Sequence, residues 1–442
     1  MAGWVYKGAR CGAVFGAVSL AALMAAGAAV AAEEMVTVTM TKSQYEALMN
    51  VLPRIEQLES QVRDNAQNLQ VQQGQQQKTD EKIEAVADSV PDLNTVERSK
   101  SGVTLELSGQ VNMGVLFADS GDSDGGDEDR QLWIVDNDAS SSRFRFVAKA
   151  PVDDYLTLGA VMELEVDRNA SDEVHQDLDD SLDFDLGLRK AEAVIDHKMY
   201  GRLRIGQGDT ASNGITEQDL SGTTVIAKSE VEIFGGKLRF RDGAGMLLTN
   251  EVDDFFGNQD GLSRKMRVRY DTPKWHGTSL ATSYSDGGAY DVRLQHSYKW
   301  PVAGGVKVAA AAGWYDASAT GDEEGISGSA SFLHVPTGLS ITGAAGQVLD
   351  GGDDESFWYL KGGWQGSIFD FGKTAVSADV FMGSDYVDDG SESDTYGIQL
   401  VQNIKKTSTQ LYIGGRVFMV DNAMAGPFQD IYAVMSGVRQ QF

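Results

Sequence analysis

The sequence predicts an all-β fold: a transmembrane antiparallel β-barrel of about sixteen strands, with an N-terminal α-helical coiled coil. Three observations lead there. From Val103 to the end, apolar and polar residues alternate with a period of two in run after run. Beyond the first 32 residues no run reaches the roughly 18 apolar residues that a membrane helix needs. The chain also opens on an export signal and closes on a final strand ending in Phe442, an unusual terminus for a soluble domain.

The export signal is read over residues 1–32. Lys7 and Arg10 supply a basic start, Ala13 to Val30 an apolar stretch, and Ala29-Val30-Ala31 an A-x-A cleavage site. The only cysteine, Cys11, lies in this leader without the apolar L-x-x-C context of a lipid anchor. The exported chain is therefore expected to lack disulfides and thiol catalysis.

Residues 41–90 hold a different pattern, rich in Gln, Glu and Lys and almost free of glycine. A heptad runs through them without a phase break. Leu48, Ile55, Val62, Leu69, Gln76, Ile83 and Val90 take the a positions; Val51, Leu58, Asn65, Gln72, Thr79 and Val86 take the d positions. This predicts a coiled coil, with Pro53 marking a helix start or kink. The polar layers from Asn65 to Thr79 lower its stability but can set register and strand number. Pro91 to about Gly102 reads as a linker, and residues 103–442 as the barrel.

Alternating runs fall at 103–113, 142–150, 154–167, 184–197, 200–208, 264–273, 276–285, 288–300, 304–316, 326–335, 338–348, 355–366, 373–384, 393–404, 406–421 and 427–442. Short turns such as Pro151–Asp154, Pro273–Gly277, Pro301–Gly304 and Pro336–Gly338 alternate with longer acidic or Gly-rich loops near 118–141, 168–183, 316–325, 349–354 and 385–392. Short turns belong on the periplasmic face and long loops outside, which puts the coiled coil in the periplasm.

Composition excludes several functions. With 37 basic against 65 acidic side chains, the chain has no basic face for nucleic acid. No Ser/His/acid arrangement or H-E-x-x-H is visible, so no enzyme is read, and no cofactor or metal site either. Gly366–Thr374 only mimics a phosphate loop, with five residues between its glycines where four are needed. Asp122, Asp124, Asp127, Glu128 and Asp129 read as a solvated outer loop able to bridge lipopolysaccharide through divalent ions.

Alternation assigns the lumen of such a barrel. Phe144, Phe146 and Ala148 take the lipid side, which turns Arg143, Arg145 and Lys149 inward. Leu203 and Ile205 likewise leave Arg202 and Arg204 inside; Met266, Val268 and Tyr270 leave Lys265, Arg267 and Arg269 inside. Glu106, Glu163 and Glu165 are their acidic counterweights. The long segment 209–263 adds Asp219, Glu230, Glu232, Asp253 and Asp254, together with its own cations. These charges either form the wall of a constriction or pair off to hold the lumen together.

Three stretches resemble the Gram-negative trimeric porin family. They are Arg189–Asp209, ending in a G-R/Q-x-D-like run; Arg267–Gly277, with its R-Y-D-T-P; and the terminal Gly437-Val-Arg-Gln-Gln-Phe442. The N-terminal rod is similar to a subset of that family with a periplasmic coiled-coil extension. The resemblance implies a homotrimer in outer-membrane lipid and lipopolysaccharide, passive diffusion of small hydrophilic solutes, and a constriction loop at 209–263. Departures are Gln440, where many barrel ends carry an aromatic, and the unusual length of that loop. An anion or small-carboxylate preference is the expected selectivity. The alternative is a structural tether whose rod touches peptidoglycan. Deletion of residues 41–90 is expected to leave a heat-resistant barrel but weaken its trimer, as seen by heat-dependent gel mobility. Unchanged trimer migration and conductance at every temperature would refute the role of the heptad.

Overall fold

The computed structural model describes residues 4–6, 36–38, 102–122, 128–177, 185–320, 324–349 and 355–442. The coiled coil, most of the leader and linker, and the acidic run 123–127 lie outside the described residues. The chain divides into two units, 1–91 and 92–442. In the first, Trp4–Tyr6 pairs antiparallel with Val36–Val38.

The second unit is one closed antiparallel barrel of sixteen strands. They are β1 (Thr104–Asp122), β2 (Glu128–Asp136 and Arg143–Pro151), β3 (Leu156–Asp167), β4 (Asp185–His197), β5 (Gly201–Asp209) and β6 (Arg264–Asp271). Then follow β7 (Thr278–Ser285), β8 (Tyr290–Trp300), β9 (Val306–Asp316), β10 (Glu324–His334) and β11 (Leu339–Val348). The last five are β12 (Ser356–Phe369), β13 (Gly372–Ser384), β14 (Glu392–Ile404), β15 (Thr409–Asn422) and β16 (Gly426–Pro427 and Ile431–Gln441). Among the described residues no helix is long and apolar enough to cross a membrane.

Closure depends on the last strand. β16 pairs with β1 from Tyr432↔Asp119 to Gln441↔Gln110, and Phe442 exchanges both backbone hydrogen bonds with Gly109, at 3.0 and 3.1 Å. Small residues permit a tight seam. A Cβ on Gly437 would sit 2.3 Å from the Tyr412 hydroxyl, which donates to Asn112. At the short-turn end, Gly338 has φ +74°, and a Cβ there would meet the Gln365 carbonyl at 1.8 Å. Only glycine serves that turn.

The expected strand positions agree closely with the observed ones, with one correction. The stretch 118–141 is not a single loop. β1 continues to Asp122 and pairs with Glu128–Asp136, so the second strand is long but broken at 137–142. Exposed Leu132 and Ile134 alternate with buried Trp133 and Val135, extending the alternation beyond what the acidic composition of the region suggested. The phosphate-loop mimic is the β12–β13 hairpin, with Phe369 opposite Gly372.

Outward positions carry exposed Phe144, Ile205, Val268, Leu280, Trp358 and Ile413, as a lipid face requires. The inner face is divided. Residues 210–263 leave β5, fold against the inner wall and return to β6, which pairs with β5 from Arg264↔Asp209 to Asp271↔Arg202. Within this segment Val225, Ile226, Ile233, Phe234, Phe240, Phe255 and Phe256 are fully buried against inward Leu116, Phe381, Phe418, Ile431 and Met435. Phe256 lies 5.1 Å from Phe418 and 5.8 Å from Phe381, ring centre to ring centre. Beneath this apolar layer Arg416 and Asp379 form an ion pair at 2.6 Å with no exposure of either side chain. Replacing Asp379 with Ala strands the guanidinium, and is expected to cost about 3–5 kcal/mol. Urea unfolding of the refolded barrel measures this; a loss below about 1 kcal/mol would show that the pair is dispensable.

Candidate functional site

Much of the wall from β1 to β6 lies outside the apolar layer, although Leu116 of β1 and Val135 of β2 belong to it. A cavity of about 930 Å³ lies along it, lined by Arg145, Lys149, Lys190, Arg202 and Arg204 and by Glu106, Glu192, Asp196 and Asp209. Each cation has a carboxylate neighbour. Lys149 meets Glu106 at 2.7 Å, Arg202 meets Asp196 at 2.5 Å, Arg145 meets Glu163 at 3.6 Å, Arg204 meets Asp271 at 3.8 Å, and Lys190 pairs with Asp209. The side chains of Arg145, Lys149 and Arg202 remain about half exposed, so these pairs are wet and individually weak.

A second cavity, about 460 Å³, sits between this wall and the inserted segment. Arg143, Arg189 and Arg264 come from β2, β4 and β6; Glu217, Glu230 and Asp260, with Lys228 among them, come from the segment. Barrel cations thus face loop carboxylates across one space, which sets up a field transverse to the strands. On the barrel side Glu163 takes Arg189 at 3.1 Å and Arg143 at 3.6 Å, and Glu165 pairs with Arg189 and accepts from the Ser141 hydroxyl. Lys228 lies 3.3 Å from Glu217 and 3.1 Å from Glu230.

Arg189 and Lys190 were not among the sequence candidates, and a β-bulge explains why. Glu163 opposes Lys190 and Leu164 opposes Leu188, so Arg189 is an extra residue on β4. A bulge puts two consecutive side chains on one face. Arg189 reaches Glu163 and Glu165 while Lys190 reaches Asp209. The signal is present in the sequence: the outward apolar residues change from even (Leu186, Leu188) to odd (Ala191, Ala193, Ile195) across this point. Glu192, Asp209, Arg264 and Asp271 were also missed as lumenal partners.

Four expected lumen residues do not face open water. Arg267 is inward but buried; it pairs with Glu192 and donates to the Asp209 carbonyl at 2.9 Å. Arg269 donates to the Thr210 carbonyl at 2.6 Å and to Asp271 at 2.7 Å, bracing the root of the segment. Asp219 is sunk between the segment and the barrel wall, where Lys361 Nζ reaches it at 2.7 Å. Glu232 Oε2 is covered and meets no donor; burial, ahead of the neighbouring Glu230, holds its carboxyl well above the usual range. The common cause is the return of the segment into the barrel, which encloses whatever lies under it. Asp253 pairs with Lys237 at 2.6 Å, and Asp254 accepts from the Glu251 amide at 2.7 Å. Lys265 stands between Arg264 and Met266, opposite Gly208.

The segment is held by an inward row of serines on β10. Ser329 accepts from the Gln218 amide and Ser331 from the Leu220 amide, each at 2.9 Å, and Ser327 donates to the Gln259 carbonyl at 2.7 Å. Lys361 also donates to the Ala227 carbonyl at 2.9 Å. Among the described residues no cluster of His, Cys, Asp and Glu is disposed to hold a metal.

A closed membrane barrel with a charged lumen narrowed by its own segment is a channel architecture. The chain belongs to the Gram-negative porin family, whose model matches residues 85–423, and it is accordingly an outer-membrane channel. Among solved structures it is similar to the anion-selective porin from Comamonas acidovorans, with 15% identity and a TM-score of 0.50, over 77% of this chain and 100% of that one. It is likewise similar to the outer membrane channel DcaP of Acinetobacter baumannii, with 12% identity and a TM-score of 0.50, over 78% and 99%. At these identities the likeness is one of fold. No curated protein sequence matches it.

One titration follows from the second cavity. Burial, ahead of Glu230 and Asp260 and against the pull of Lys228, pushes Glu217 up to about 8. Lys228 holds Glu230 below its ordinary value, so the pair carries one proton at neutrality. That proton leaves as pH rises through about 8, adding a negative charge opposite Arg143, Arg189 and Arg264. The reversal potential in a salt gradient is expected to move toward cations between neutral and alkaline pH, and Glu217→Gln is expected to abolish the shift. A shift that persists in that variant would assign the titration elsewhere.

Proposed function

We propose that the chain forms a water-filled channel for passive diffusion of small hydrophilic solutes, with a mild preference for anions such as small carboxylates. The observation that carries this is the cavity on the β1–β6 wall, where five cations meet four carboxylates. Glu192 is also engaged from behind by Arg267, which leaves the lining more basic still. The cations are paired, but Arg145, Lys149 and Arg202 stay about half exposed. In a narrow lumen their near field acts on a solute more strongly than the acidic outer loops, which salt screens within about 8 Å. Guanidinium groups also match a carboxylate's two oxygens. Segment 210–263 serves as the constriction in this reading. Its carboxylates opposite Arg143, Arg189 and Arg264 would orient dipolar solutes in transit.

The same reading takes residues 1–32 as a signal peptide, the working unit as a homotrimer in lipid and lipopolysaccharide, and residues 41–90 as its periplasmic coiled coil. A tether touching peptidoglycan through that rod is the alternative, and it predicts no conductance. The test is single-channel recording with reversal potentials in a salt gradient. Replacing Arg145, Lys149, Arg202 and Arg204 by Gln is expected to shift the reversal potential toward cations at unchanged barrel yield. Arg267 and Arg269 are left intact because Arg267 neutralises buried Glu192. An unchanged potential would move selectivity to the loop carboxylates, and a silent intact protein would favour the tether.

A further inference from the structure

We propose a second anion-binding station at the short-turn mouth of the lumen, formed by Lys299, Lys307 and Lys373, for a small doubly charged oxyanion. It rests on the channel reading above but concerns the opposite wall. The parity of β8, β9 and β13 turns these lysines inward. Arg293 on β8 donates to Asn213 of the inserted segment, Gly313 on β9 faces Ile215, and Ser377 on β13 bonds Thr223. Each lysine shares the odd parity of these inward neighbours, and each is exposed.

The contrast with the first wall is chemical. Arg145, Lys149, Lys190, Arg202 and Arg204 all have a carboxylate partner. Among the described residues Lys299, Lys307 and Lys373 have none. Lys299 and Lys307 stand directly opposite each other in the β8–β9 register, an arrangement that is unfavourable without a counter-ion. Lys307 and Lys373 also line one cavity of about 260 Å³ beneath residues 219–224, together with Thr224 and Gln365. The carboxylate in that lining, Asp219, is already occupied by Lys361 at 2.7 Å and the Ser221 amide at 2.6 Å. The vestibule therefore presents ammonium donors with no acid to satisfy them. Three rotatable N–H bonds on each flexible stem suit an anion with several oxygens and two charges, a phosphate or a dicarboxylate. Lying at the short-turn end, periplasmic in barrels of this kind, the station would hold an anion after it has passed the arginine wall.

The experiment uses the full-length protein in planar bilayers, with chloride carrying the current and inorganic phosphate or succinate added to one side at constant ionic strength. Both oxyanions are expected to reduce the chloride current more strongly from the short-turn side. Lys299→Gln/Lys307→Gln/Lys373→Gln is expected to raise the half-blocking concentration about tenfold, and Lys307→Gln alone part of the way. These side chains face the lumen, so heat-dependent gel mobility should be unchanged. Block by one oxyanion alone would name that ligand; block by both would assign the shared chemistry. An unchanged half-blocking concentration in the triple variant, or no block of the intact channel by either, overturns the station. A cation-preferring reversal potential of the intact channel in a chloride gradient would instead refute the anion preference proposed above.

Discussion

Within hydrocarbon every main-chain N–H and C=O must find its partner in the protein, because no water is available to take its place. A sheet meets that demand only by closing. Here closure falls to one seam, where β16 pairs with β1 and Phe442 exchanges two hydrogen bonds with Gly109. The rest of the molecule follows from it. With no free edge, alternate side chains have only two destinations, lipid or lumen, and every irregular segment must lie at an end or inside.

The segment between β5 and β6 goes inside. Ordering more than fifty residues costs conformational entropy that charged contacts in water would not offset. The segment offsets it by burying phenylalanines and branched aliphatics against inward Leu116, Phe381, Phe418 and Met435. The serines of β10 and the Lys361–Asp219 pair satisfy its polar groups at the margin of that contact. The consequence for function is geometric. The dry contact fills part of the lumen and leaves two cavities bordered by β1–β6, where the paired ionised side chains stand, and a smaller one at Lys307 and Lys373.

Those side chains are placed by small local devices. The extra residue on β4 turns Arg189 and Lys190 to the same face, so that one strand serves both cavities. Burial under the segment separates Arg267 from Arg204, though both project inward from neighbouring strands. One closes a dry pair with Glu192; the other borders the open cavity. Residues of the same type thus divide into structural and solvent-facing roles according to what lies above them.

The sequence alone determined the barrel, its strand count and the lipid or lumen side of most residues. Each of these rests on the period of two and on the cost of charge in lipid, both local properties of the chain. It also identified 209–263 as exceptional, from length alone. It did not tell which inward charges meet water. The apolar residues of that segment come in short groups without a regular period, such as Val225-Ile226-Ala227, Ile233-Phe234 and Phe255-Phe256. Only when they pack on the equally inconspicuous inward Phe381 and Phe418 do they form a dry layer. Arg267, Arg269 and Asp219 were legible as inward and not as buried, because burial depends on residues far apart in the chain. Tertiary structure decided that, and with it which charged side chains border the open cavities of the lumen.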